Sequence, residues 1–408
     1  MLATSIASTA HADGAFPDEF QVLLPRDQPH TIFLGANFGL LQSTDDGATW
    51  TLVCESLVTG GDNVLAYQLG ADDAVYAAFD GVVTRSSDEG CDWVHASGLE
   101  TDGVVTDLFA DPVDAQRIYA LVAPPTLTGA AQPFVSNDGA ATFAPLLPPD
   151  AGYLVGIESA TSAPRPLYLS TVLTNADGGP LPAVLTLVDG GMVVHPHPEL
   201  AGKLIGIAHV DANDSSTLYL RIYQFGSQDD VLAVSRDGAA TITNLLSPGV
   251  ELSAFVEASD GTLYAGSRAG KLWVEPPDAG SFAEIDGPHV RCLGERDGTL
   301  LVCGDDIQDG YALASSTNRG TTLSPLLVFQ HNVSGLAACA PVQAACQGAW
   351  EGFASTFGLS TQADGGAAKA TNSGCGCNAA PAWPELAVLL TMAVAWCSRR
   401  RGARSGSS

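Results

Sequence analysis

An all-β fold built from repeated units is predicted by three features of this 408-residue sequence. Gly (44 residues) and Pro (24 residues) are abundant and spread along the chain, which is typical of many short strands joined by turns. The hydrophobic content of 46% supplies enough apolar material for a large core and argues against global disorder. A short motif also recurs along the chain, and such recurrence indicates a repeat architecture.

The recurring motif reads Ser-x-Asp-x-Gly-x-Thr-Trp. Its two clearest copies span residues 43–50 and 86–93, and weaker copies begin at residues 136, 235 and 316. Strand-like sequence flanks the copies, so each is predicted to be a hairpin turn in which Gly permits φ > 0 and Asp accepts backbone N–H groups. The motif residues to which we assign this structural role are Ser43, Asp45, Gly47, Trp50, Ser86, Asp88, Gly90, Trp93, Ser136, Asp138, Ser235, Asp237, Ser316 and Gly320.

This motif resembles the Asp-box, or BNR repeat, of sialidase-like and sortilin-like β-propellers. The resemblance implies a β-propeller in which each Asp-box forms the turn between the third and fourth strands of a blade, far from the central channel. On this basis the Asp residues of the boxes are expected to be structural, not catalytic or metal-binding.

The spacing of the boxes predicts the number of blades. Positions 45, 88 and 138 are 43 and 50 residues apart, and the intervals to positions 237 and 318, of 99 and 81 residues, each correspond to two blades. Degenerate boxes are expected in these intervals at residues 188–191 and 278–282. The sequence therefore predicts a β-propeller of seven four-stranded blades within residues 13–351, with six or eight blades as alternatives.

The charge of the chain excludes one class of partner. The formal net charge is −28 with only 17 Lys and Arg residues, and four of these, Arg399, Arg400, Arg401 and Arg404, lie in the last ten positions. Nucleic-acid binding requires clustered basic residues that displace counterions. We therefore expect no nucleic-acid partner.

Six of the nine cysteines lie in the body of the chain: Cys54, Cys91, Cys292, Cys303, Cys339 and Cys346. No two of these six have the C-x-x-C spacing of a zinc site, so three disulfides of an exported protein are the favoured interpretation. Cys54–Cys91 is the first expected pair, because neighbouring blades bring such positions together. Cys292 and Cys303 flank one hairpin, and Cys339 and Cys346 close a short loop.

The two ends of the chain suggest export. Residues 1–12 contain the small-x-small pattern Ala10-His11-Ala12 and are interpreted as the remnant of a signal peptide, with an unstructured start as the alternative. Residues 352–374 are rich in Gly, Ala, Ser and Thr and are predicted to be a flexible linker. The short hydrophobic helix expected over 386–397 falls below the ~20 residues that a comfortable membrane span needs.

Residues 375–408 combine a Gly-Cys motif at Cys375 and Cys377, the apolar run and an arginine cluster. This combination resembles the C-terminal sorting tail of myxobacterial surface proteins. The resemblance implies cutting by a membrane protease near the cysteines, lipidation there and retention at the cell surface. An uncut single-pass helix in the membrane is the alternative.

Catalytic and metal sites are weakly supported. The related sialidases clamp the substrate carboxylate with three arginines, the first in an Arg-Ile-Pro motif, whereas Arg26 is followed by Asp27 and the chain has no Arg-Ile-Pro. We therefore assign no catalytic residues, no metal ligands and no cofactor. The weak candidates are His195-Pro196-His197, interpreted as a solvated loop, and the acidic turn 305–310, which could offer oxygen atoms to Ca²⁺.

The favoured function is a non-catalytic, surface-anchored binding scaffold for a protein or glycan. The alternatives are a secreted sialidase-like glycoside hydrolase and an extracytoplasmic assembly factor. Three arginines converging with a Tyr and a Glu at the channel mouth would favour the hydrolase, and an apolar or aromatic mouth would favour binding.

Overall fold

The computed structural model of the chain describes residues 19–60, 66–99, 103–125, 130–148, 152–188 and 190–359. In these residues the strands form seven sheets, each built on four antiparallel strands that follow one another in sequence. The first strands of successive sheets are neighbours in the order β1, β5, β9, β13, β17, β21, β25, and β25 returns to contact β1. The sheets are therefore seven blades around a central channel, which confirms the predicted fold and blade count.

Blades 1 to 3 contain β1 (Glu19–Leu23), β2 (Ile32–Ala36), β3 (Gly39–Ser43), β4 (Trp50–Cys54), β5 (Ala66–Leu69), β6 (Val75–Phe79), β7 (Val82–Ser86), β8 (Val94–His95), β9 (Val104–Ala110), β10 (Ile118–Ala123), β11 (Gln132–Ser136) and β12 (Ala144–Pro145). Blades 4 to 7 contain β13 (Tyr153–Ser159), β14 (Leu167–Thr174), β15 (Pro180–Val188), β16 (Gly191–Pro196), β17 (Leu204–Val210), β18 (Leu218–Tyr223), β19 (Val231–Ser235), β20 (Thr243–Leu246), β21 (Ala254–Glu257), β22 (Leu263–Ser267), β23 (Lys271–Glu275), β24 (Ala283–Asp286), β25 (Cys292–Arg296), β26 (Thr299–Cys303), β27 (Leu313–Ser316) and β28 (Ser324–Leu327).

The second strands of the blades form much of the core. Every residue of β2, β10 and β22 is buried, because neighbouring blades cover both faces of these strands. Strands that are covered on both faces have continuous apolar runs instead of an alternating pattern. Each of these second strands therefore stays buried only while a neighbouring blade lies on either side of it.

Each copy of the recurring Ser-x-Asp motif, for which the name Asp-box is kept below, forms the turn between the third and fourth strands of its blade. In the first box the Ser43 hydroxyl donates to Asp45 (2.8 Å) and accepts the N–H of Gly47 (2.9 Å), and Asp45 accepts the N–H of Thr49 (2.9 Å). The indole N–H of Trp50 donates to the carbonyl of Gly47 (3.0 Å). Side chains of the box thus form the hydrogen bonds that hold its turn, so the local sequence specifies the turn.

The same bonds recur in the weaker copies. The hydroxyl of Ser136 donates to Asp138 (2.7 Å), and Asp138 accepts the backbone N–H and the hydroxyl of Thr142. These bonds, led by that of the Thr142 hydroxyl, lower the pKa of Asp138 to about 2. Ala140 has φ +65° where the first box has Gly47, so this box keeps its conformation without the glycine.

The boxes also pack against the preceding blade. A Cβ added to Gly320 would lie 2.5 Å from the Leu272 side chain of blade 6, and one added to Gly90 would lie 3.2 Å from Leu40 of blade 1. A side chain at either position would have to displace its neighbour. The glycines of the boxes therefore serve the contact between blades as well as the turn.

After the last blade the chain returns to the first. The C-terminal segment, residues 328–359, contains α2 (Phe329–Asn332), β29 (Val333–Leu336), α3 (Ala340–Ala345) and α4 (Gln347–Phe357). Strand β29 pairs in parallel with β4 and becomes the fifth strand of blade 1. The α1 helix (Glu55–Val58), which follows β4, contacts α3.

Three disulfides confirm the predicted use of the six body cysteines, but two of the expected pairings are wrong. Cys54 bonds Cys346 and Cys91 bonds Cys339, whereas Cys54–Cys91 and Cys339–Cys346 were expected. The reason is the return of the C-terminal segment, which brings Cys346 to Cys54 and Cys339 to Cys91. Cys292–Cys303, across the β25–β26 hairpin, is confirmed.

The predicted start of the linker at residue 352 is also wrong. Residues 352–357 are the last turns of α4, in which Trp350 and Phe353 are buried. The Phe353 ring lies 5.4 Å from that of Phe38 in blade 1 and 5.8 Å from that of Phe329. The aromatic residues of α4 recur at helical spacing, which holds this Gly- and Ala-rich stretch on blade 1.

The other predictions for the two ends concern residues that lie outside the described ranges: residues 1–12, the linker beyond residue 359, Cys375, Cys377 and the apolar run. Among the helices that the structure does describe, none combines the length and the apolar character that crossing a membrane requires.

Candidate functional site at the channel mouth

The loops fall into two groups at opposite ends of the channel, because the strands of each blade alternate in direction. The Asp-box turns lie at one end. The opposite end carries the loops between second and third strands and the connections between blades. The part of this end formed by blades 4 to 6, called the channel mouth below, includes Tyr153, Arg221, Tyr223, Phe225, Glu251 and Arg268.

Two cavities lie at the channel mouth. One of about 360 Å³ lies among the inner strands of blades 3 to 6, with Asp107 and Phe255 in its wall. The other, of about 610 Å³, lies between the loops of blades 5 and 6 and includes Glu251. Arg221 and Ser253 line both cavities. Their sizes are in the range of pockets that hold small ligands.

Aromatic side chains lie at this end of the channel, and two of them, Tyr223 and Phe255, line the smaller cavity. Phe225, in the loop after β18, is 75% exposed, and its ring lies 6.1 Å from that of Tyr223 in an edge-on arrangement. Tyr153, at the start of β13, is 37% exposed. Exposed aromatic residues grouped beside a cavity are characteristic of binding surfaces. Phe225 and Tyr153 thus add exposed aromatic surface at this end of the channel.

The guanidinium of Arg221 is held by two carboxylates. Its Nε donates to Asp230 (2.7 Å) and one terminal nitrogen donates to Glu251 (3.1 Å). Asp230 is buried and also accepts the N–H of Leu252 (2.8 Å). The guanidinium also lies over the Tyr223 ring, 4.7 Å from its centroid. Because its charge is already balanced, Arg221 is a poor clamp for an anionic ligand.

Deeper in the channel, Asp107 on β9 accepts the N–H of Ile157 on the next inner strand (2.9 Å). Burial, reinforced by the charge of Glu158, raises the pKa of Asp107 to about 7 against the lowering effect of that hydrogen bond. The carboxyl group of Asp107 is therefore partly protonated near neutral pH. It can donate as well as accept a hydrogen bond at the wall of the cavity.

Near the other end of the channel, His209 on β17 lies between two glutamates. Its Nδ1 is 3.5 Å from Glu158 and its Nε2 is 3.7 Å from Glu257. Desolvation lowers the pKa of His209, but the hydrogen bond and charge of Glu158 and the charge of Glu257 outweigh it and raise the pKa overall. Glu158, His209 and Glu257 thus connect the inner strands of blades 4, 5 and 6.

The interpretation of residues 195–197 as a solvated loop is wrong. His195 and Pro196 belong to β16, and His197 is buried. The Nδ1 of His197 is 2.9 Å from Glu199 and its Nε2 is 3.0 Å from the carbonyl of Ala239 in the Asp-box of blade 5. Both ring nitrogens are engaged within the protein, so His197 joins two blades.

The acidic turn after β26 is satisfied by protein donors. Asp305 accepts the N–H groups of Ile307 (3.0 Å) and Gln308 (2.9 Å) and pairs with Arg291 (2.9 Å). Asp309 accepts the N–H of Asp305 (2.8 Å). These bonds engage the carboxylates of Asp305 and Asp309, two of the groups that were considered as Ca²⁺ ligands.

Three of the described arginines, Arg26, Arg221 and Arg291, are held by acceptor groups of the protein. Arg26 lies at the Asp-box end, where it donates to the carbonyl of Pro112 (2.7 Å). At the opposite end, Arg221 and Arg291 are each paired with carboxylates. The sequence did not reveal the aromatic residues of the mouth, because they come from loops of separate blades with no shared motif.

No family model matches the sequence, and no curated protein matches it either. Among solved structures, the chain is similar to the extracellular domain of BT4673 from B. thetaiotaomicron, with a TM-score of 0.51 and 11% identity over 74% of this chain and 38% of that chain. It is also similar to a puromycin-hydrolyzing peptidase of Mycobacterium tuberculosis, with a TM-score of 0.52 and 14% identity over 79% of this chain and 55% of that one.

A third similar structure is YCF48 from Cyanidioschyzon merolae, with a TM-score of 0.49 and 13% identity over 71% of this chain and 93% of that chain. The chain thus spans well under two thirds of the length of BT4673 and of the peptidase. At these identities the similarities to BT4673 and to the peptidase support the fold and nothing more specific.

The raised pKa of Asp107 gives a testable pH dependence. Because its folded-state pKa exceeds that of the unfolded chain, its contribution to stability is complete below about pH 4 and is lost as the pH rises through about 7. We expect Asp107→Asn to remove this loss, so that the melting temperature of the variant minus that of the wild type increases between pH 5 and 8. Differential scanning fluorimetry across this range provides the measurement.

Asp138→Asn is the matched control for Asp107→Asn. The pKa of Asp138 is lowered to about 2, so this carboxyl group is fully ionised above pH 5. The melting temperature of Asp138→Asn minus that of the wild type should therefore stay constant between pH 5 and 8. Equal slopes for the two variants would contradict the assignment of the titration to Asp107.

Proposed function

We propose that the protein is exported, is retained at the cell surface and binds a glycan at the channel mouth without transforming it. The observation that carries the proposal is the combination of exposed aromatic rings with an arginine that two carboxylates already balance. Flat ring faces suit the apolar faces of sugars, and the surrounding carboxylate and hydroxyl groups suit sugar hydroxyls. The balanced charge of Arg221 and the net charge of −28 favour a neutral glycan over an acidic one.

Export is supported by the three disulfides, which form and persist in oxidising compartments. Surface retention is supported by the resemblance of residues 375–408 to a sorting tail. A binding role fits both, since a ligand outside the cell would meet the mouth directly. The hydrolase alternative needs arginines that can hold the carboxylate of a substrate. Arg221 and Arg291, at the mouth end, are each paired with a carboxylate of the protein and do not support it.

Binding can be tested with a neutral-glycan array followed by titration calorimetry on the best ligand. Removing an aromatic contact worth ~0.5–1.5 kcal/mol should weaken binding roughly 2- to 10-fold. We expect that loss for both Phe225→Ala and Tyr153→Ala. The control is Val113→Ala, which truncates a 53%-exposed apolar side chain at the Asp-box end and should leave the affinity unchanged.

Three results would contradict the glycan proposal. The first is that only sialylated or other acidic glycans bind. The second is that the three variants and the wild type have equal affinities. The third is that a cleaved sugar is released during incubation. Preferential capture of an unglycosylated peptide at the same residues would replace the glycan with a polypeptide ligand.

Processing of the tail is tested separately. A cut near Cys375 and Cys377 should leave a surface-extracted protein that ends near these residues and carries lipid. Because one acyl chain alone binds membranes only marginally, stable anchoring requires at least two chains. Mass spectrometry of the mature protein should therefore find no peptide from residues 383–401. Recovery of that peptide from the mature form would favour the uncut helix.

Replacing both cysteines of the tail tests the lipid itself. We expect Cys375→Ala with Cys377→Ala to release the protein from the cell surface into the medium. Unchanged surface retention in this double variant would contradict lipidation, whatever the outcome of the processing test.

A further inference from the structure

The outer edges of most blades are protected against pairing with another strand. Strand β4 is covered by β29, β8 and β12 are only two residues long, and β28 contains Pro325. The pairing of β20 with β19 is irregular, and β24 carries Glu284 and Asp286. Short length, proline, charge, bulges and cover are the ordinary means of blocking a sheet edge.

Strand β16 of blade 4 has none of these protections along its central residues. It is six residues long, and it pairs with β15 in an unbroken register from Gly191 to Pro196. Met192, Val193 and Val194 are 54%, 56% and 41% exposed. A regular outer strand presents a row of backbone N–H and C=O groups, and here apolar side chains flank that row. The edge is therefore suited to another β-strand.

Blade 1 shows how such an edge is filled in this fold. The outer strand β4 accepts β29 in parallel, and the added strand buries Val333 and Leu336. Strand β29 has four residues, with apolar side chains at both ends. Blade 4 offers a longer outer strand than blade 1 and has no equivalent of β29 among the residues that the structure describes.

Charge limits the choice of occupant. A second copy paired edge to edge would bring two chains of net charge −28 together, which opposes association. Close to the end of β16, the Asp237 carboxylate acts electrostatically on His195, and Glu199 contacts His197. A segment with Lys or Arg at its ends complements this environment.

We propose that β16 is a docking site for an extended segment of a different polypeptide, apolar at alternate positions and flanked by basic residues. The segment adds to blade 4 as a fifth strand, with its backbone paired to β16 and its apolar side chains on the face of the sheet that carries Met192 and Val194. This site lies on the outer surface of the ring and does not depend on the channel mouth.

The probe for this site is the synthetic peptide Lys-Val-Thr-Val-Thr-Val-Thr-Lys, titrated into the full-length protein by fluorescence anisotropy. We expect saturable binding, at least 10-fold weaker binding of the same peptide with Glu in place of both Lys, and no binding of a version with alternate backbone amides methylated. Hydrogen–deuterium exchange should show new protection confined to residues 190–196.

Val193→Lys should weaken binding of the probe at least 10-fold, because it places a positive charge on the edge. The matched control is Val94→Lys, the same change at a 68%-exposed position of the outer strand β8, which should bind like the wild type. Val193→Thr keeps the β-branched shape and should retain binding, which guards against a simple folding defect.

The proposal is overturned if the lysine peptide does not bind, if the glutamate peptide binds equally well, or if protection appears elsewhere. Sedimentation equilibrium adds a further arm: a dimer of the wild type that Val193→Lys abolishes would identify the occupant as a second copy and reject the basic segment. None of these outcomes bears on glycan binding at the mouth.

Discussion

Blades 1 and 7 must stay together if the other blades are to keep both faces buried. The side chain of Arg296 in blade 7 donates to three carbonyls of the β1–β2 loop, those of Pro25, Pro29 and Thr31. The indole of Trp50 in the first Asp-box donates to Leu326 of blade 7 (3.1 Å). The C-terminal segment then covers the same junction as a fifth strand of blade 1 and is tied to blades 1 and 2 by two disulfides. Ring closure is thus covalent as well as packed.

A closed ring explains how the channel mouth can be preorganised. Its residues come from blades 4 to 6, on the side of the ring away from the closure. Polar groups on the inner strands fix neighbouring blades to one another, as Asp107 does with Ile157 and Glu158 does with the N–H of Val210 (2.8 Å). Such bonds hold the cavity walls in place, which would reduce the entropy cost of binding the proposed glycan.

The parts of this structure that sequence predicted are those that local chemistry specifies. An Asp-box contains its own hydrogen-bond partners within eight residues, so the motif reveals the turn and its spacing reveals the blades. The pairing of Cys54 with Cys346 spans 292 residues and depends on the path of the C-terminal segment, which no local pattern encodes. The mouth was equally hidden, because Tyr153 of blade 4 reaches the same end of the channel as Tyr223 and Phe225 of blade 5 only once the blades have packed side by side.

Hydrogen–deuterium exchange on a variant without the two C-terminal disulfides tests ring closure most directly. Cys54, Cys91, Cys339 and Cys346 would be replaced by Ala, with Cys292→Ala/Cys303→Ala as the control that removes a disulfide within one hairpin. We expect exchange to accelerate first in β4, in β29 and along the contact between blades 1 and 7, with β14 and β18 changing least. The control should show only local acceleration in β25 and β26. Acceleration spread evenly over all seven blades, or none at the junction of blades 1 and 7, would contradict closure by the C-terminal segment.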